Sequence, residues 1–158
     1  MQFYVDGKQI SFVTQYTHLG HVISSNMNDR CDVLSKRNSL CGKMNNLFCN
    51  FWKCDPFVKL KLLRNLCCDF YGSYLWDLSH PNIDDVCIAW RKGLRRLFDL
   101  PYRTHSVTLT PLCDMLSFEY ELICRCVNFM SKCMVSCNEM VNFVTRNGIY
   151  FFKGWFLL

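Results

Sequence analysis

The chain has 158 residues and a formal net charge of +5, a length that fits one ordinary domain or a piece of something larger. Apolar residues at 51% against 20% charged exclude intrinsic disorder, because there is ample apolar surface to offset chain entropy. Seven glycines and four prolines are too few for the many tight turns of a β-sandwich and favour helices.

Taken in chain order, residues 3–23 read as strands. Phe3-Tyr4-Val5, then Asp6-Gly7, then Ile10 to Val13 make a β-hairpin pattern, since Asp-Gly supports the positive φ of a tight turn. Leu19, Val22 and Ile23 read as a third strand in which Gly20 is a bulge or close-approach glycine. After Asn26 the apolar period lengthens. Val33, Arg37, Leu40, Cys41, Met44, Leu47, Phe48 and Phe51 recur at intervals of three and four that mark an amphipathic helix over about 29–51. Asp55-Pro56 is a cap followed by proline at the first helical position. The helix it opens runs over about 56–72, with Leu60, Leu63, Leu66, Cys67 and Phe70 inward and Gly72 at its end. A third helix starts near Asn82, carries Ile83, Val86, Cys87, Trp90, Leu94, Leu97 and Phe98, and stops before Pro101. Thr110-Pro111 is a start for a short fourth helix, Ser117 a cap for a fifth over 118–135, and Asn138 to Arg146 a sixth, closed by Asn147-Gly148. The fold class expected is α+β, mainly α: a small N-terminal antiparallel sheet followed by a multi-helix bundle.

The N-terminus lacks a basic segment followed by an apolar core, so no signal peptide is expected. The apolar tail Ile149 to Leu158 is too short to span a bilayer and is interrupted by Lys153. An intracellular, reduced setting is therefore the expectation, with no membrane partner. The twelve cysteines then do not read as a disulfide framework. No Cys-x2-Cys pair aims two thiolates at one zinc ion; the nearest approaches are Cys124-x-Cys126 and Cys133-x3-Cys137. They are expected to be small buried hydrophobes.

Basic charge is concentrated. Between 30 and 64 stand Arg30, Lys36, Arg37, Lys43, Lys53, Lys59, Lys61 and Arg64, against Asp32 and Asp55. Between 91 and 103 stand Arg91, Lys92, Arg95, Arg96 and Arg103, against Asp99. From 104 to 145 the balance reverses. Such a concentration is the usual electrostatic footprint for nucleic acid, or simply a solvated helix surface. Catalytic signatures are missing. Asp84-Asp85 falls in the first turn of the third helix, where carboxylates favour the helix dipole. His18, His21, His80 and His105 have no metal-ligand spacing, and neither a phosphate loop nor a nucleophile elbow occurs. His18 and His21 read as strand-edge polar residues or phosphate contacts. Trp76 and Trp90 read as core.

The run Tyr16-Thr17-His18-Leu19-Gly20-His21-Val22-Ile23 resembles the Leu-Gly segment at the palm–thumb junction of non-LTR (LINE-like) retrotransposon reverse transcriptases, where it acts as the primer grip. Asp29-Arg30, Tyr71 to Trp76, the stretch Ala89 to Ser106 with its Trp-Arg and Leu-Pro elements, and Asn138 to Ile149 resemble the segments downstream of the primer grip in that family. The resemblance covers about residues 5–149. It implies a palm remnant over 1–26, a thumb-like bundle over 27–105 and a helical extension with an apolar tail over 106–158, and it places Met1 mid-domain.

The family's aromatic-Ala-Asp-Asp motif is absent, and Tyr74 stands where many relatives carry Glu. The resemblance therefore implies a fragment of an RNA-directed DNA polymerase without its catalytic carboxylates. Magnesium, the family's cofactor, has no ligands here. The implied partner is an RNA or DNA template–primer duplex, held by Tyr16, His18, Leu19, Gly20, Lys36, Arg37, Lys43, Arg91, Arg95, Arg96 and Arg103. A thumb grips through phosphates and needs lysines and arginines on helices. The alternative is an inactive helical protein–protein interaction module. Self-association through an exposed strand edge or the apolar tail is a further expectation.

Overall fold

The computed structural model describes residues 3–26 and 28–148. Two hairpins come first. β1 (Phe3–Val5) pairs antiparallel with β2 (Lys8–Ile10), and β3 (Gln15–His18) pairs antiparallel with β4 (His21–Ser24). Six helices follow: α1 (Arg30–Asn50), α2 (Pro56–Cys67), α3 (Asn82–Leu97), α4 (Ser106–Cys113), α5 (Phe118–Met134) and α6 (Glu139–Gly148), with a 3₁₀ turn at Ser73–Leu75. The mainly helical α+β class is therefore as expected, with the strands in two separate two-stranded sheets.

Both hairpins turn on two residues with positive φ, Asp6 and Gly7 in the first, Leu19 and Gly20 in the second. That is the turn geometry whose twist matches antiparallel strands. Gly20 is thus the corner of a hairpin rather than a bulge inside a strand. His18 and His21, which flank the corner, form the closing pair of the ladder.

The core stripe of α1 is Val33, Leu40, Met44 and Leu47, all buried. It packs against Leu60, Leu63 and Cys67 of α2 and against Val86, Cys87, Trp90, Leu94 and Leu97 of α3. α1 and α3 run side by side in the same direction. Asp29 meets Asp77 at one end, and Asn45 meets Arg96 near the other. Gly93 lets the two helices approach, since a Cβ there would collide with the Met44 thioether. Trp76 and Phe70 complete the core beneath the 3₁₀ turn, and Phe118 of α5 stacks on Trp90 at 5.2 Å.

Several boundaries differ from the periodicity reading. α2 stops at Cys67; Leu66 is exposed, and Phe70 reaches the core from the loop after the helix. Gly72, at φ +86°, does not end α2 but precedes the 3₁₀ turn. α4 begins at Ser106, five residues before Pro111, because His105 caps it by accepting the Val107 N–H. Pro111 lies inside that helix, where its missing N–H leaves a carbonyl one turn back without its helical donor. α5 is capped by Ser117, which accepts the Tyr120 N–H at 3.3 Å, as its sequence suggests. The apolar tail 149–158 lies outside the described residues.

The cysteines are all free, and they divide by environment. Cys67, Cys87 and Cys113 are buried, as expected of small hydrophobes; Cys31, Cys49 and Cys137 are exposed, and the rest are half-buried. Burial pushes the Cys87 thiol up to about 12, helped by neighbouring Glu119 and opposed by Arg91. Cys68 is pushed up to about 12 by burial and by Glu121, and Cys126 to about 11 by burial.

Candidate nucleic-acid interface

The end of α3 shapes the principal basic feature. Asp99 takes a left-handed conformation (φ +53°), so the Leu100 N–H reaches back to the Arg95 carbonyl at 2.8 Å and the Asp99 N–H to that of Arg96. This is a Schellman closure with aspartate in the place usually held by glycine. Pro101 comes two residues later, and the chain folds back along the helix it has just left. Arg95 holds it there: Nε and Nη2 donate to the Thr104 carbonyl at 3.0 and 2.9 Å, and Nη2 also reaches Ser106 Oγ at 3.1 Å.

Between the returning loop and the outer face of α3 lies an open groove of about 360 Å³. Arg91, Lys92 and Arg95 line it from the helix, one turn apart or adjacent, with Ile88 below them. Tyr102, Arg103 and His105 line it from the loop, and Ser106 closes it at the start of α4. No acidic side chain lies among the lining residues. Lys92, Tyr102, Arg103 and His105 are exposed. The groove therefore presents cations, an aromatic ring and hydroxyl groups to solvent, a set that suits phosphates and bases.

The other basic residues distribute differently. Arg96 turns away from the groove: its Nη1 donates to Asn45 Oδ1 at 2.7 Å, and its guanidinium lies 4.9 Å over the Phe48 ring, tying α3 to α1. Arg91 is shared, since it also pairs with Glu119 at the start of α5. Behind that pair is a smaller pocket of about 170 Å³, mostly apolar, between α3, α4 and α5.

On α1, Lys36 extends to the second hairpin, its Nζ 4.0 Å from where a Cβ at Gly20 would stand. The Leu-Gly turn and one α1 cation are thus brought together. Around them Leu19 is exposed, and Tyr16 stacks on His18 with ring centroids 6.5 Å apart. Lys43, seven residues on from Lys36, faces the α1–α2 seam, where its charge opposes the upward push of burial on the Cys67 thiol. Arg37 lies one residue round the helix from Lys36, and its Nε is buried without a hydrogen-bond partner.

His21 has neither of the expected roles. It is buried, with Nδ1 2.8 Å from Asp32 Oδ2 in a contact that is not aligned as a hydrogen bond. Asp32 is the residue that charge counting takes for a solvated carboxylate. Its carboxylate is fully buried and accepts hydrogen bonds from the Val22 N–H at 2.9 Å and from Trp76 Nε1 at 2.7 Å. It fastens the second hairpin to the bundle. Tyr102, His105 and Glu119 are likewise site residues that sequence reasoning misses. The available signal for the first two is their place in a basic stretch just after a helix-stopping proline.

Asp84 and Asp85 sit in the first turn of α3, and no group of three or more metal-ligating side chains occurs among the described residues. The residues present do not fit a polymerase metal pair. No helix among the described residues is long and apolar enough to cross a membrane. No protein-family model, curated protein or solved structure matches the chain.

Proposed function

We propose that this chain binds nucleic acid through its phosphates, as the template–primer grip of a non-LTR reverse transcriptase would, without carrying the polymerase carboxylates. The observation that supports this reading most is the groove that Arg91, Lys92, Arg95 and Arg103 line together, with no acidic residue among its lining. The Lys36 ammonium beside the Leu19-Gly20 turn adds a second cationic contact, at the segment that resembles a primer grip. Because the sequence lacks an aromatic-Ala-Asp-Asp motif, nucleotide incorporation with magnesium is expected not to exceed a buffer control.

The test is binding of a labelled template–primer duplex by fluorescence anisotropy across a salt series. About four phosphate contacts, at a slope of about −0.9 each, predict a loss on the order of 100-fold in affinity between about 50 and 200 mM salt. No duplex binding at the lowest salt sinks the reading.

A protein-interaction module is the second reading. It is favoured by the exposed apolar residues Ile123 and Val127 on α5 and Met140, Phe143 and Val144 on α6. It predicts salt-insensitive self-association by light scattering at concentrations where duplex binding is absent.

A further inference from the structure

We infer that the groove beside α3 seats one unpaired nucleotide at the end of a duplex, its base on the Tyr102 ring and its phosphate on Lys92, Arg95 and Arg103. This rests on the nucleic-acid reading above and narrows it to a strand type. Tyr102 is 77% exposed, so its ring contributes little to packing. It is nonetheless placed. Pro101 precedes it, and the paired bonds from Arg95 to the Thr104 carbonyl hold the loop from behind. An exposed ring on a tethered loop within a cationic groove is the arrangement of single-strand binding sites, where aromatic faces stack on bases irrespective of sequence.

Size and composition point the same way. Small-molecule sites start at about 300 Å³, so a groove of about 360 Å³ is large enough for one nucleotide. Ile88, itself 41% exposed, adds apolar surface to the groove lining. A base inside a duplex is stacked on both faces and has no face to offer Tyr102. An unpaired base in an overhang is free to turn a face to the ring.

Three labelled probes test this with the whole chain at low salt: a blunt duplex, the same duplex with a short single-stranded overhang, and the same overhang made abasic. The overhang probe is expected to bind about tenfold more tightly than the blunt duplex, and the abasic probe to lose that preference. Tyr102→Ala is expected to lose the preference and Tyr102→Phe to keep it. Tyr120→Ala, an exposed tyrosine on α5, keeps it as well. Equal affinity for all three probes, or a preference that survives Tyr102→Ala, overturns the inference while leaving nucleic-acid binding intact. Absence of binding to every probe overturns the broader reading and this one with it. A mononucleotide that displaces the overhang probe as effectively as unlabelled overhang strand also overturns it, by assigning the groove to a free nucleotide.

Discussion

Trp76 Nε1 donates a hydrogen bond of 2.7 Å to Asp32 Oδ2, joining the loop after α2 to the first turn of α1 in a wholly buried contact. The same carboxylate accepts the Val22 N–H at 2.9 Å and lies 2.8 Å from His21 Nδ1. Two separate segments, β4 and the loop after α2, thus depend on one side chain of α1. A buried carboxylate is tolerated only when its oxygens are satisfied, and here the backbone and the indole satisfy both.

Asp32→Ala should therefore leave two buried donors unpaired. At roughly 1–3 kcal/mol for each orphaned group, a loss of about 3 kcal/mol is expected in urea unfolding followed by tryptophan fluorescence. Asp32→Asn should not rescue it: its amide can accept from Val22 only by turning its NH₂ toward the Trp76 donor. Full stability in the Asn variant would contradict this account.

Gly72 is the second point of dependence. Its φ of +86° is a conformation that side-chain-bearing residues rarely adopt, and a Cβ there would stand 2.6 Å from His21 Nδ1. The imidazole has little room to yield, because Asp32 Oδ2 already lies 2.8 Å from that same nitrogen. Gly72→Ala is predicted to destabilise the fold by about 2 kcal/mol through strain and displacement. It should also raise amide exchange at Val22. Unchanged exchange there would show that the hairpin is anchored elsewhere.

The cysteines give a prediction with a definite sign. In Cys68, Cys87 and Cys126 burial raises the folded-state pKa above the ordinary thiol value, so the fold retains protons that the unfolded chain gives up. Their contribution to stability is fully present below the unfolded thiol pKa of about 9. It is lost as pH rises from there toward about 12. Denaturant midpoints should fall across that window, and by less in Cys87→Ala, measured relative to that variant's own neutral-pH midpoint. In the native state at neutral pH, iodoacetamide should mark Cys31, Cys49 and Cys137 and spare Cys67, Cys87 and Cys113, which are buried. Rapid native labelling of Cys87 would contradict the packing described.

The helices are legible in the sequence because each carries its own signals: the stripe through Val33, Leu40, Met44 and Leu47, the Asp55-Pro56 start, the Ser117 cap. Features made by chain reversal escape such reading. Gly20 looks alike in a bulge and in a turn until a pairing partner is known, and that partner, β3, has few apolar residues to announce it. Charge counting treats Asp32 as a solvated carboxylate, since nothing local distinguishes it from Asp55. Lys36 and Arg37 are adjacent in sequence, but 100° of helix rotation sends them to different neighbours; Lys43 shares the Lys36 face and is separated from it by about 10 Å along the axis. Arg96 groups with Arg91, Lys92 and Arg95 on the same reasoning and is instead turned toward Asn45 and Phe48. The groove itself depends on Asp99 reversing the chain onto α3, a tertiary event that no periodicity encodes.

Arg91 supplies the last prediction. It lines the groove, yet its guanidinium pairs with Glu119 across the gap between α3 and α5. Both partners are partly exposed, so the pair adds little to stability, on the order of 0–1 kcal/mol. Its larger effect is on charge, since a carboxylate beside Arg91 cancels one of the four cations that line the groove. Glu119→Gln keeps the side-chain shape and a hydrogen-bond acceptor while removing that negative charge. Overhang-probe affinity should then rise about three- to tenfold at low salt, and the gain should shrink as added salt screens the groove. Arg91→Gln in the same background should abolish the gain. If Glu119→Gln weakens binding instead, the carboxylate acts by holding Arg91 in position rather than by competing with the phosphate.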